Sequence, residues 1–329
     1  MEEAHLAGKR VTIRDVARSA GVSYQTVSRA FNDKGEINGD TKQRVMEAAR
    51  ALGYRPSRFA RGLVRQDTTS IGLVIPDLLN PFFTEVAAAA LDAARQRGWH
   101  VLLYDTADDR ELELDALGVI GSQVDAVVGY FYEPIEVIEK LVHGMPTVYI
   151  GRDRAGSTFT SIRIDGEPGI HAAVAHLVAD GRRRIGMLDH GGDRPPSVRR
   201  RWFLDAMQAH GLVGTAVGAD QSIGGGERAM SEILDARPDL DGLLTYNDVI
   251  AIGAVRRAVQ LGRRVPQDCA VIGFDGLSIG AIVEPPLTSV RIDIKQLGAL
   301  AVEQVAKLLA GEPAGTASVT PELVLRGSA

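Results

Sequence analysis

The run Val22-Ser23-Tyr24-Gln25-Thr26-Val27-Ser28-Arg29 follows Ile13-Arg14-Asp15-Val16-Ala17-Arg18-Ser19-Ala20-Gly21, and the two together decide how this chain begins to fold. Thr12 is a good N-cap, and Asp15, three residues on, makes a short-armed capping box. Ile13, Val16, Ala17 and Ala20 recur at helical spacing and form one apolar stripe. Gly21 can take the positive φ that stops a helix. Val22 plugs the corner, and Ser23 caps a second helix in which Val27, Ala30 and Phe31 face inward. Tyr24, Gln25, Ser28 and Arg29 are then left outward.

Two short helices joined by a tight turn suit a helix-turn-helix, whose second helix offers its first residues to base edges in the major groove. Gln can pair with adenine and Arg with guanine through two hydrogen bonds each. A plain helical hairpin with a solvated polar face is the competing reading of so short a pattern. Charge favours the first. Residues 1–65 hold thirteen Lys/Arg and seven Asp/Glu, whereas the whole chain has 37 against 42. Residues 66–329 therefore carry 24 against 35. A basic head (+6) on an acidic body (−11) is the distribution expected of a nucleic-acid-binding module attached to a regulatory domain.

The spacing predicts a third helix over residues 41–52, with Val45, Ala48, Ala49 and Leu52 closing a small core and Gly53 ending it. Pro56 favours a further helix start. The basic, apolar residues that follow make only about two turns, marginal alone in water, and Gly62 weakens them further. Such a segment would order against a partner that satisfies its charges.

Residues 11–65 resemble the head of the LacI/GalR family of bacterial transcription regulators, and Val22–Arg29 looks identical to the reading helix of the family's lactose-operon member. The resemblance implies that Tyr24, Gln25 and Arg29 read bases, and that Thr12, Ser23, Thr26, Ser28, Asn32, Thr41 and Tyr54 hold phosphates or the groove wall. Arg58, Ala60 and Leu63 match the family's hinge helix in the minor groove, with Leu63 as the wedge that unstacks a central base step. Gly62 departs from the pattern and implies a hinge that depends more on DNA for its order. The expected division is a head over 1–56, a hinge helix and linker over 57–69, and a core over 70–329.

Hydrophobic residues make 45% of the chain and aromatic residues only 5%, so the core is mostly Ala, Val, Leu and Ile. No apolar run nears the ~18 residues of a membrane helix. Met1-Glu2-Glu3-Ala4-His5 lacks the basic start and apolar stretch of a signal peptide, and one cysteine excludes an internal disulfide. These features place the chain in the cytoplasm, with no membrane partner.

From residue 70 strands alternate with helices: strand 70–75, helix 82–97, strand 101–104, helix 111–120, strand 126–129, helix 135–143, strand 147–150. Past Ser161 the alternation resumes with helices 170–179, 199–210, 227–234 and 249–261 and strands 185–188, 242–244 and 270–274. Such a βαβα order implies parallel sheets covered by helices on both faces. About 260 residues of it make two subdomains, and two sheets facing each other would form a cleft at their strand ends.

The family resemblance extends here through Ile71–Asp77, Asn80–Phe83, Tyr246-Asn247-Asp248, Val271–Asp275, Pro285–Val290 and Leu323–Ser328. It implies an α/β fold: the three-helix head and hinge helix, then a two-lobed, periplasmic-binding-protein-like (type I) doubly wound core holding a small effector. It also implies that Arg199 reaches the ligand. Asn247, ending a strand, can donate and accept; Asp275, ending another, can accept from two hydroxyls or instead cap the segment after it. Phe82 or Phe83 could form an apolar wall. Arginine, carboxylate, amide and aromatic groups together suit a sugar or similar polyol. Tyr130-Phe131-Tyr132 could line a pocket or pack against the second lobe. Gln221 and Gly151 stand where the lactose-operon member has a pocket tryptophan and aspartate, so a shared reading helix does not imply a shared ligand.

Enzyme readings fail on order and spacing. Gly276-Leu277-Ser278-Ile279-Gly280 fits a nucleophile elbow, but the last histidine, His210, precedes it. The one Gly-Lys pair, Gly8-Lys9, is followed by Arg10 and makes no phosphate loop. Gly224-Gly225-Gly226 reads as a flexible loop. His171 and His176 are five apart and share no helix face, so no metal is expected, and no cofactor either. Three functions are left: a DNA-binding regulator, foremost a repressor of a sugar operon; a ligand-binding protein with a vestigial head; and a regulator answering to a protein partner. No heptad tail of the kind that tetramerises the lactose-operon member follows the last strand, so a homodimer on a palindromic DNA operator is expected.

Overall fold

The computed structural model describes residues 13–31, 38–52, 68–142, 144–151, 160–191 and 195–329. By internal contacts the chain falls into two units, Met1–Thr68 and Thr69–Ala329.

In the first unit, α1 (Ile13–Ala20), α2 (Tyr24–Phe31) and α3 (Gly39–Ala51) close on a small core of Val16, Ala17, Ala20, Val27, Ala30, Val45 and Ala49. Gly21 takes φ 66°, the left-handed turn required between α1 and α2. The Ser23 hydroxyl accepts from the Thr26 amide at 3.1 Å, the expected N-cap. The third helix starts two residues before the predicted Thr41, because Asn38 Oδ1 accepts from the Asp40 amide at 3.0 Å and supplies the cap. Leu52 is not a core residue: it lies past the last helical turn and is 37% exposed. The predicted hinge helix and its residues Arg58, Ala60, Gly62 and Leu63 fall outside the described residues.

The second unit holds two six-stranded sheets, ordered β11-β5-β4-β3-β1-β2 and β12-β10-β9-β8-β6-β7. The first contains β1 (Ser70–Ile75), β2 (His100–Asp105), β3 (Ala126–Gly129), β4 (Thr147–Ile150), β5 (Thr160–Ile164) and β11 (Ala317–Val319). The second contains β6 (Ile185–His190), β7 (Thr215–Ala219), β8 (Gly242–Thr245), β9 (Ala270–Asp275), β10 (Thr288–Arg291) and β12 (Glu322–Val324). Pairing is parallel except between β10 and β12. Central strands such as β1, β3 and β9 are buried nearly throughout, as parallel strands covered on both faces must be.

Helices α4 (Pro81–Gln96), α5 (Arg110–Ile120), α6 (Ile135–Val142) and α11 (Ile294–Leu309) belong with the first sheet. Helices α7 (Glu167–Ala179), α8 (Val198–Ala209), α9 (Ile223–Ala236) and α10 (Asp248–Gln260) belong with the second. The chain thus passes between the lobes near residues 165, 292 and 320, and the Asp165 amide donates to the Val319 carbonyl at 2.9 Å where two passages meet.

Two features differ from the sequence expectation. Gly224-Gly225-Gly226 is no loop but the first turn of α9. A Cβ on Gly226 would stand 2.2 Å from the Ile250 carbonyl oxygen, and one on Gly253 of α10 would stand 2.0 Å from that of Ile223. The glycines let two helix backbones touch. The alternation also passed over β7, a small-residue edge strand of mixed burial, and α11.

Candidate functional site

Each sheet reverses its strand order once on one side of its first strand: the first between β1 and β3, the second between β6 and β8. At such a point the loops leaving neighbouring strands diverge and open a crevice beyond the carboxyl ends. The two crevices face each other across a cavity of about 1200 Å³. One wall comes from the segments after β1 and β3, including Phe82, Phe83 and Tyr130 to Pro134. The other comes from the segments after β6, β8 and β9, including His190, Arg199, Trp202, Tyr246, Asn247, Phe274 and Asp275.

Arg199 organises the second wall. It sits in the first turn of α8, a helix capped by Ser197, whose hydroxyl accepts from the Arg200 amide at 3.0 Å. Its guanidinium lies 3.7 Å from the centre of the Phe274 ring and 4.5 Å from that of Tyr246. It donates to the Tyr246 carbonyl and stands 3.6 Å from Asp275 Oδ1. The head is held by cation–π contacts, one carbonyl and one carboxylate, in a setting where its side chain is only 15% exposed.

Asp275 ends β9 with φ 114°, a conformation that L side chains rarely adopt. The neighbours explain how it is held. The Gly276 amide donates to Ser289 Oγ at 3.0 Å, and the Leu277 amide to Asp248 Oδ2 at 2.7 Å. Ser289 donates to Asp248 Oδ1 at 2.6 Å. The amides that Asp275 could have capped are taken by others, so its carboxylate faces Arg199 instead. Burial pushes its pKa well above the usual carboxylate range, with Arg199 pulling it down and Asp248 and Glu85 pushing it up.

Asn247 both donates and accepts through its amide. Its oxygen accepts from the Ile250 amide at 2.9 Å as the N-cap of α10. Its nitrogen is left as the donor on the cavity side, 3.4 Å from Gln221 Oε1. Gln221 and Gly151 both line the cavity.

On the first wall Phe82, Phe83 and Tyr130 form a three-ring cluster with edge-to-face centroid distances of 5.1 to 5.9 Å. Phe82 is buried and Phe83 half-buried; both follow Asn80, whose side chain caps α4 by accepting from the Phe82 amide at 3.1 Å. Tyr130 lines the cavity, and its hydroxyl is buried without a hydrogen-bond partner among the described residues. Burial foremost, and then Asp275, raises its pKa, while Arg199 opposes them. The two walls are joined directly: Ser278, three residues past Asp275, donates to Glu85 Oε1 of α4 through its hydroxyl at 2.8 Å and its amide at 3.3 Å.

All five residues expected to contact a small ligand, Phe82, Phe83, Arg199, Asn247 and Asp275, therefore border one cavity. Sequence reasoning missed Trp202, Tyr246, Phe274 and the Asp248–Ser289 support. Tyr246 and Phe274 sit immediately before two residues it did select, at strand ends, and Trp202 lies three residues after Arg199 on the same helix.

In the head, Tyr24 is 56% exposed, Gln25 and Arg29 are exposed, and Thr26, Ser28 and Thr41 are half-buried. Ser23 is exposed, and its oxygen also lies 2.9 Å from Thr26 Oγ1. Thr12, Asn32 and Tyr54 lie outside the described residues. Among the described residues no helix is long and apolar enough to cross a membrane.

A family model described as bacterial regulatory proteins, lacI family, matches residues 12–57, and one described as a periplasmic binding protein-like domain matches residues 174–329. The ribose operon repressor of Halalkalibacterium halodurans is 32% identical over 93% of this chain and 92% of its own length. The HTH-type transcriptional regulator GalS of Salmonella typhimurium is 32% identical over 97% and 96%. A LacI family regulator of Arthrobacter sp. FB24, solved with lactose, superimposes with a TM-score of 0.75 at 32% identity, covering 80% of this chain and 99% of its own. The Lac repressor bound to ONPG in its repressed state gives a TM-score of 0.75 at 26% identity, covering 98% and 100%.

Proposed function

Because the chain belongs to the lacI family of bacterial regulatory proteins, we propose that it is a cytoplasmic repressor of a carbohydrate-utilisation operon. In this reading it binds a palindromic operator as a homodimer and is switched by a small, sugar-like ligand between its lobes. Its relatives of matching length are transcriptional regulators, not enzymes. The head spans 1–56, the hinge 57–69 and the effector-binding core 70–329. Tyr24, Gln25 and Arg29 read base edges; Thr12, Ser23, Thr26, Ser28, Asn32, Thr41 and Tyr54 hold the backbone; Arg58, Ala60 and Leu63 enter the minor groove.

One observation carries the proposal. The exposed reading face of α2 belongs to the same chain as a cavity whose floor offers a carboxylate, an amide donor and a guanidinium beside aromatic rings. Phe82, Phe83, Arg199, Asn247 and Asp275 can grip a polyol by alternating hydroxyl contacts with ring faces. The names of relatives point the same way, to ribose in one case and bound lactose in another.

The ligand acts by its differential affinity for two lobe arrangements. Phe82 and Phe83 lie on one lobe and Arg199, Asn247 and Asp275 on the other, so a ligand touching both favours the arrangement that brings them together. A gel-shift with a lac-like palindrome, with and without a panel of sugars, tests the whole reading. The expected result is operator binding that at least one sugar alters. A folded protein that binds no such palindrome at low salt would sink it.

A further inference from the structure

We propose that the mouth of the cavity is a second subsite, so that the effector is a neutral glycoside of at least two rings. The proposal rests on reading the cavity as a sugar site. The subsite lies between Tyr132, the Arg110–Glu133 pair and, across the cleft, Pro196 and Val198.

Exposure grades along the cavity. The Asp275 side chain is 4% exposed and that of Arg199 15%, whereas Tyr132 is 37% exposed, Val198 45% and the Arg110 side chain 72%. Arg199 and Asp275 thus form an inner floor, and the others form an outer rim. About 1200 Å³ exceeds the ~300–1,000 Å³ of ordinary small-ligand pockets and leaves room beyond one ring on the floor.

The rim is built, not incidental. Glu113 of α5 is only 1% exposed, yet its carboxylate serves the backbone of the next loop. It accepts from the Tyr132 amide at 3.1 and 3.0 Å and from the Glu133 amide at 3.0 Å. Glu133 is itself only 3% exposed and pairs bidentately with one edge of the Arg110 guanidinium, through Nε and Nη2, the Nη2 to Oε2 contact being 3.1 Å. Burying two carboxylates is expensive and rarely adds net stability. Here the result is a rigid loop that presents the Tyr132 ring at the mouth. Eight of the seventeen aromatic residues of the chain line this one cavity, which suits the C–H faces of sugar rings.

Charge sets the ligand class. Among the described residues the lining holds two arginines against three acidic side chains, Asp108, Glu133 and Asp275. Arg110 and Arg199 each have a carboxylate partner. Among the described lining residues acidic side chains outnumber arginines, so a neutral glycoside fits better there than a sugar phosphate.

The test uses the full chain and calorimetric titration with lactose, cellobiose, maltose, sucrose and trehalose, against glucose, galactose, fructose and glucose 6-phosphate. At least one disaccharide is expected to bind roughly tenfold or more tighter than its own monosaccharides, a gain of about 1.4 kcal/mol. Tyr132→Ala should remove that preference by weakening disaccharides roughly tenfold more than monosaccharides, while Tyr132→Phe, which keeps the ring, should retain it. A monosaccharide or glucose 6-phosphate that binds as tightly as every disaccharide overturns the proposal. So does a Tyr132→Ala loss shared equally by one-ring and two-ring sugars, or binding by no disaccharide at all. An operator gel-shift on the same preparation separates the two readings. If monosaccharides alter operator binding and disaccharides gain nothing, the subsite alone fails; if no sugar binds or alters it, the sugar-switched reading fails too.

Discussion

Asp248 carries a fully buried carboxyl whose pKa burial raises to about 6 from an ordinary 3.8, against the pull of hydrogen bonds from Ser289 and Leu277. The folded value lies above the unfolded one. Its contribution to stability is therefore fully present below about pH 4 and is lost as the pH rises through about 6. The ionised form is retained at neutral pH because it fixes the Gly276-Leu277 turn and, through it, Asp275. Asp248→Asn removes the charge and keeps one acceptor. Urea unfolding should show the wild type gaining on the variant by as much as about 3 kcal/mol between pH 7.5 and 4; a difference that is flat with pH would contradict this. In the head, Arg29 is exposed on α2 with nothing of the described fold resting on it. Arg29→Ala should weaken operator binding by about 1–3 kcal/mol and relax preference at one base pair per half-site, read by gel-shift with substituted operators.

Helices α9 and α10 show why composition misleads at the level of an element. Three successive glycines normally argue against a helix, since each costs roughly 1 kcal/mol relative to alanine there. In this fold only Gly226 of the three faces α10, and its missing side chain, together with that of Gly253, lets the two helix backbones touch. Gly253→Ala would push a methyl to 2.0 Å from the Ile223 carbonyl oxygen, so it should lower stability by about 1–3 kcal/mol despite the better helix propensity. Gly118 is the control: it is exposed in α5 and a Cβ there meets nothing within 4 Å. Gly118→Ala should raise stability by roughly 0.5–1 kcal/mol. Thermal melts of the pair should move in opposite directions, and movement in the same direction would refute the packing argument.

Across the second unit as a whole, Glu85 and Ser278 join two lobes whose strands come from separate sheets. Phe82 and Phe83 ride on the helix of Glu85, and Asp275 on the turn of Ser278, so ligand contacts and this bridge move together. Ser278→Ala should lose about 1 kcal/mol of support for this arrangement and weaken ligand binding roughly fivefold in calorimetric titration; unchanged affinity would show that the bridge carries no weight. The sequence by itself determined the helix-turn-helix, the strand–helix alternation and five residues that meet at one cavity. Those rest on short-range causes: caps, glycine turns, periodicity, and residues placed at strand ends. It left open whether Asp275 caps its own turn or faces inward, and it misread the glycines of α9. Only the tertiary structure decided these points. The competing partners are Asp248 and Ser289 for the turn, and Ile250 for the helix, and each comes from another element of the chain. Which donors stay free for a ligand depends on contacts such as Arg199 to Tyr246 and Glu85 to Ser278, 47 and 193 residues apart, and spacing along the chain holds no trace of them.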